Sequence, residues 1–391
     1  MTVRAIKAEE RRARLGVRHH LADPAETAID VARALVALHG TDPASVHLAA
    51  AARMRDPDVG AVEKALYEDR VLLRMLAMRR TVFTVSVELA PTVQAACSDD
   101  VARRERRRTL QFVEEAGLGD DAWLREVEEA TVAALRSRGE AFAADLSEDV
   151  PRLKERIVLS EGKAYEARPT IANRVLLGLA AEGRIVRGRP RGSWTSSQFS
   201  WSPIEVWLPG GLPSVPTDEA RADLIRRWLA AYGPGTAADL KWWTGLTLTQ
   251  IRKALAEIDV ERVDLDGEDG YVLADDVDPV PEPAPWVALL PALDPTVMGW
   301  AGRTWYLGEH GPLLFDRNGN ACPTVWCDGR LVGGWAQRAD GEVVYRLLED
   351  IGSEAASTVA AEAARLTSWL GPVRLAPRAR GRSPVEAELV G

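Results

Sequence analysis

Apolar positions along the first two-thirds of the chain recur at helical spacing, and each helical stretch ends in a short β-branched run with a glycine- or arginine-bearing turn. The stripe Ile29, Ala32, Leu35, Val36 and Leu38 predicts a helix that turns at Gly40 into a second helix from Pro43 to Arg53. A third is predicted from about Val59 to Glu68, followed by a strand at Arg80–Val85. The same order returns twice. Helices at Asp121–Ser137, Glu140–Leu146 and Pro169–Gly183 lead to strand Arg184–Arg187, a turn at Gly188–Gly192 and a return at Ser193-Trp194-Thr195. Helices at Thr217–Tyr232, Thr236–Thr244 and Thr247–Ile258 lead to Val260–Leu265, a turn over Asp266–Gly270, and Tyr271–Leu273.

Helix, helix, helix and hairpin is the winged-helix order, in which the third helix can enter a DNA groove while the hairpin touches the backbone. The proline-rich stretch Asp278–Pro285 then reads as a linker. Beyond it, Trp286–Leu348 alternates short apolar runs with turns, Asp328-Gly329 being a strong hairpin signal. A helix from about Ser353 to Leu370 closes this β-rich, barrel-like module, and residues 381–391 are expected to be poorly ordered. The fold expected is α+β, with tandem winged-helix units and a β-rich C-terminal module. Its parts are residues 1–115 (N-terminal helices and first winged-helix unit), 116–210 (second unit with a basic wing), 211–278 (third unit) and 286–391.

Composition narrows the function. Apolar residues make up 46% of the chain and charged residues 27%, and no apolar run reaches the ~18 residues of a membrane span. The N-terminus runs into a charged helix without the apolar core of a signal peptide, so a cytoplasmic, nucleoid-associated protein is expected. Cys97, Cys322 and Cys327 offer neither a full set of pairs nor a zinc site, so neither metal nor cofactor is expected. The net charge is −9, yet arginines cluster at 103–108, at 184–191 and at 374–382. An acidic average with basic patches suits a protein that binds a polyanion at one place. The second wing, with Arg187, Arg189, Arg191 and Trp194, fits phosphate contact; the third, with Asp264, Asp266, Glu268 and Asp269, repels it.

The chain resembles the winged-helix DNA glycosylases of the AlkZ and YcaQ type over about residues 11–370. The resemblance rests on Leu38-x-x-x-Asp42-Pro43, Met78–Phe83, Tyr232–Leu246, Leu290–Pro295, Phe315–Ala321 and Thr324–Trp335. It implies a C-shaped body around a cleft for duplex DNA, and removal of alkylated bases by a protein acting as a monomer. Such enzymes carry a Gln-x-Gln pair before the Asp-Pro. Here the two positions hold His39 and Thr41.

An N7- or N3-alkylated purine is cationic, so cleaving its glycosidic bond asks only for an oriented water and stabilisation of an oxocarbenium-like sugar. A neutral His39 suits deprotonation of that water, Thr41 its positioning, and Asp42 the sugar's growing charge. The same residues also suit helix punctuation: His39 near a helix C-terminus, Gly40 as a left-handed cap, Thr41 or Asp42 as the next N-cap, and Pro43 in its first turn. Asp294 either caps a turn or adds a carboxylate to the cleft. Arg79 and Arg80 before the first strand, Arg174 on the second unit's third helix, and Arg317 in a polar turn complete the candidate DNA contacts. Trp242 and Trp243 read as core, His19 and His20 as surface or interhelix residues. Two functions from different classes remain: a monofunctional glycosylase acting on alkylated purines, and a non-catalytic DNA-binding regulator or damage-recognition factor on the same scaffold.

Overall fold

Two separate segments of the chain, residues 1–65 and 222–391, build one unit of the computed structural model, and residues 66–221 between them build a second. The structure describes residues 3–159, 162–163, 166–376 and 381–391. Arg378 and Arg380 of the third arginine cluster lie outside the described residues.

The first segment of unit 1 contains β1 (Arg4–Ala5), α1 (Ala8–Arg18), α2 (Ala28–Ala34), the two-residue extended stretch β2 (Leu38–His39), α3 (Pro43–Ala51) and α4 (Val59–Glu63). N-caps set the helix starts: Thr27 accepts the Asp30 amide, Asp42 that of Ala44, and Asp58 those of Gly60 and Ala61.

Unit 2 begins with the antiparallel hairpin β3 (Leu72–Leu76) and β4 (Val82–Ser86). Helices α5 (Ala90–Val93), α6 (Asp99–Glu115), α7 (Asp121–Arg138), α8 (Ala143–Asp149) and α9 (Ala172–Ala181) follow. The unit then forms the hairpin β5 (Ile185–Pro190) and β6 (Phe199–Pro203). Helices α7 to α9 enclose a core of Leu124, Val127, Leu135, Leu146, Val175 and Leu179, closed by Trp201 of the hairpin. The return strand lies at Phe199–Pro203, beyond the expected Ser193-Trp194-Thr195, because β5 runs on through a bulge to Pro190.

The second segment of unit 1 opens within α10 (Thr217–Tyr232), at residue 222, and continues with β7 (Gly235–Thr236), α11 (Ala237–Thr244), α12 (Leu248–Leu255), β8 (Val260–Leu265) and β9 (Glu268–Leu273). Capping boxes open α11, Thr236 with Asp239, and α12, Thr247 with Gln250. Asp266 (φ 55°) and Gly267 (φ 93°) make a two-residue turn, so β9 begins three residues earlier than expected. β1 joins this sheet in parallel, giving the order β1-β8-β9-β7.

The chain ends in β10 (Val287–Leu290), α13 (Thr304–Leu307), α14 (Gly311–Leu314), β11 (Thr324–Cys327), β12 (Arg330–Gln337), β13 (Val343–Leu347), α15 (Ser353–Leu370) and α16 (Pro384–Val390). The expected barrel-like closure is not found. Four antiparallel strands form an open sheet in the order β10-β11-β12-β13, too few to curl onto themselves, and α15 packs against both outer strands. The tail is also more structured than expected. Ser383 caps α16, Val385 is buried, and Glu388 pairs with Arg346. Trp243 lies in the core, as expected, while Trp242 carries Arg303 over its ring. Among the described residues no helix is long and apolar enough to cross a membrane.

Candidate functional site

The segment that holds His39 and Thr41 is built differently from the predicted helix-turn-helix. α2 ends at Ala34: the Val36 amide tightens onto the Arg33 carbonyl at 3.2 Å, and the Leu35 carbonyl accepts from the Ala37 amide at 2.6 Å and the Tyr232 hydroxyl at 2.9 Å instead of from an amide one turn on. Val36 then takes the left-handed conformation, φ 62°, which costs a β-branched residue strain. That position was expected at Gly40, which is not left-handed. Leu38 is buried, His39 half-buried, Thr41 exposed and Asp42 half-buried. His39 therefore lies in extended backbone, away from the helix C-terminus. Asp42 is the N-cap, its Oδ1 accepting the Ala44 amide at 3.1 Å, and Pro43 occupies the first turn.

α3 is buried from Pro43 to Ala51 and locked at both ends. Ser45 donates to the Ala292 carbonyl at 3.0 Å. Past its C-terminus, Arg53 makes a two-pronged ion pair with Asp294, at 2.9 and 2.7 Å, with both side chains wholly buried. Asp294 also accepts the Thr296 amide at 2.9 Å. It thus caps a turn and neutralises a buried arginine; no face of it is open to solvent. Behind it, Thr296 receives a hydrogen bond from Arg53 at 2.7 Å and sits 2.8 Å from His19 Nδ1, whose Nε2 lies 3.1 Å from the Ala231 carbonyl. Burial, with Arg53 nearby, holds the His19 pKa well below the ordinary histidine value. His19 takes the interhelix alternative, wholly buried against Ala231 of the helix Thr217–Tyr232, whereas His20 is partly exposed.

The remaining candidates lie mostly in unit 2. Arg79 and Arg80 both have positive φ, 53° and 61°, in the hairpin connection, and Arg80 reaches Glu105 at 2.5 and 2.9 Å. Arg174, at the start of α9, is 3.3 Å from the same carboxylate. The second hairpin's arginines are laid on rings. Arg187 sits 4.1 Å from the Phe199 centroid, Arg189 5.0 Å from Tyr67 and Arg191 4.1 Å from Phe142. Burial, aided by the charge of Arg74, pulls the Arg187 pKa down to about 10, so it stays charged at neutral pH. Trp194 is buried in the loop, so its ring is packing rather than an open stacking face. In unit 1, Arg317 is exposed on a turn that Asp316 holds by accepting the amides of Asn318 and Asn320 at 2.8 and 2.9 Å. The three cysteines are free and buried, and burial pushes the Cys97 thiol up to about 12.

Sequence reasoning missed Arg53, Tyr232, Glu105 and the aromatic supports. A signal existed for one pair: Arg108 and Phe112 stand four apart on α6, the spacing that stacks side chains on a helix face.

A mixed fold of helices, open sheets and arginine-bearing hairpins, with polar side chains before a rigid helix, belongs to a known class. The chain is a member of the AlkZ-like DNA glycosylase family, whose pattern it matches over residues 32–369. It is 29% identical over 214 residues to an interstrand DNA cross-link repair glycosylase of Streptomyces sahachiroi, an alignment covering 52% of this chain and 56% of that one. The chain thus spans little more than half the length of the curated relative it matches. Its fold is similar to the solved structure of Streptomyces sahachiroi DNA glycosylase AlkZ, with a TM-score of 0.73 at 22% identity, covering 93% of this chain and 97% of the other.

Proposed function

We propose that the chain is a monofunctional glycosylase that hydrolyses the N-glycosidic bond of alkylated purines in duplex DNA, bulky and cross-linking adducts included. The observation that supports it is the placement of His39, half-buried at the end of β2, and of Thr41, exposed in the bend that follows, both directly before the buried helix α3.

In this reading Thr41 orients a water and His39 takes its proton as the oxygen bonds to the sugar C1′. The C1′–N9 electron pair leaves with the cationic base, which departs neutral, so an abasic sugar and a free alkylpurine result. Asp42, fixed by its cap to Ala44, supplies negative charge for the oxocarbenium-like transition state. The wing arginines Arg187, Arg189 and Arg191, with Arg79 and Arg317, hold the phosphate backbone. Stacked guanidiniums suit this, since a ring fixes the plane while the edge N–H groups stay available to phosphate.

A second reading, a winged-helix DNA-binding protein without chemistry, is favoured by the use of Asp42 as a helix cap. Duplex DNA carrying N7-alkylguanine or N3-alkyladenine, incubated with the chain and then cleaved with hot alkali, separates the two. Strand breaks that fall at least a hundredfold in His39→Ala support hydrolysis. Intact strands across several adducts, with binding retained, favour the second reading.

A further inference from the structure

Three guanidinium groups of unit 2 converge on one carboxylate and one ring. Glu105, only 5% exposed on α6, accepts from Arg80 of the hairpin connection at 2.5 and 2.9 Å, and from Arg174 of α9 at 3.3 Å. Phe112, two turns further along α6, has Arg174 at 5.0 Å and Arg108 at 5.7 Å from its centroid. Neighbouring Arg103 pairs with Asp100, and Arg104 donates to the Asp100 backbone carbonyl at 3.1 Å. Arg108, by contrast, makes no ion pair among the described residues and is exposed.

The charges do not balance. Arg80, Arg108 and Arg174 carry three positive charges against the single negative charge of Glu105. The side chain of Arg174 is 16% exposed, and its pKa is lowered by burial and then by Arg108 and Arg80, with Glu105 opposing. Guanidiniums crowded this way repel each other, Arg174 has in addition lost water, and an anion relieves both costs. Their geometry is set beforehand, since Glu105 holds two of them and Phe112 carries two. A guanidinium resting on a ring presents its N–H edge, the geometry that a phosphate oxygen pair accepts.

We propose that this cluster on α6, α9 and the first hairpin is a second phosphodiester-binding site, separate from the wing, that takes two backbone phosphates of duplex DNA. The net excess of two charges sets that number. The proposal rests on the reading that duplex DNA is the substrate, but not on base removal.

The test is fluorescence anisotropy with the full chain and an undamaged duplex over a range of salt concentrations. Arg108→Gln is expected to reduce the slope of log Kobs against log salt by about 1, and Arg80→Gln with Arg108→Gln by about 2. Exposed Arg108 has no ion pair to lose, so a melting scan of that single variant separates contact from folding. Unchanged slopes overturn the site, and so does weaker binding at an unchanged slope, because a lost phosphate contact must appear in the slope. Wild-type chain that binds duplex DNA yet releases no base from duplexes carrying N7-alkylguanine or N3-alkyladenine defeats the glycosylase reading alone. Binding indifferent to these arginines defeats the site alone.

Discussion

Protonating His19 means breaking a relay of donors. The Ala231 carbonyl can only accept, so in the neutral ring Nε2 carries the proton and Nδ1 accepts from the Thr296 hydroxyl, whose oxygen also takes a hydrogen bond from Arg53. Burial and then the nearby Arg53 charge disfavour the protonated ring. With the folded pKa well below the ordinary ~6.5, the unfolded chain gains a proton as pH falls through that value while the folded chain does not. The contribution of His19 is therefore whole above about pH 6.5 and is lost progressively on acidification. Melting temperatures from about pH 8 to 5 should fall below 6.5, and His19→Gln should flatten that decline; parallel profiles in the two proteins would refute the account. Legibility at this scale was uneven. Asp294 was readable as a turn residue, and Asp42-Pro43 as a helix start. Nothing in the sequence marked Arg53 as the partner of Asp294, because a contact across more than two hundred residues leaves no local pattern.

Among elements, starts were legible where a side chain bonds its own neighbourhood. The Thr236/Asp239 and Thr247/Gln250 boxes fixed α11 and α12, and Asp328-Gly329 gave the β11–β12 turn with φ 47° and 77°. Ends set by distant groups were missed. α2 stops before the apolar stripe runs out, its Leu35 carbonyl taken by the Tyr232 hydroxyl and the Ala37 amide, and the second hairpin outruns its glycine signals through a bulge. The tail misled for the opposite reason: Val385 is the one fully buried apolar side chain on α16, too short a signal to read. Deleting residues 383–391 should cost on the order of 2 kcal/mol, the burial of that side chain, and expose the face of β12. A denaturant midpoint equal to that of the full chain would show that α16 adds nothing.

Over the whole molecule, charge is divided unevenly. Residues 66–221 hold 23 basic and 24 acidic side chains, a net −1, so the rest of the chain carries −8 of the −9. Unit 2 can attract a polyanion locally without the repulsion that a strongly acidic body imposes. Replacing Arg187, Arg189 and Arg191 together with alanine should therefore weaken duplex binding by ten-fold or more and flatten its salt dependence by about 2 to 3 in slope. Binding unchanged at low salt would remove the wing from the interface. The repeated helix-and-hairpin order was legible here from periodicity. That one unit would be assembled from both ends of the chain was not, since periodicity reports local faces and says nothing of which distant segments share a core.

The pairing of β1 with β8 has a consequence for how the protein is made. Arg4 and Ala5 lie beside Val263 and Asp264, and Lys7 reaches Asp266 at 3.0 Å. On a ribosome adding roughly 5–20 residues per second, the first strand waits on the order of 10 to 50 seconds for its neighbour. Residues 66–221 emerge complete in that interval. The nascent chain thus has a built-in order, with the inserted, arginine-bearing unit able to fold while the leading segment still awaits its sheet.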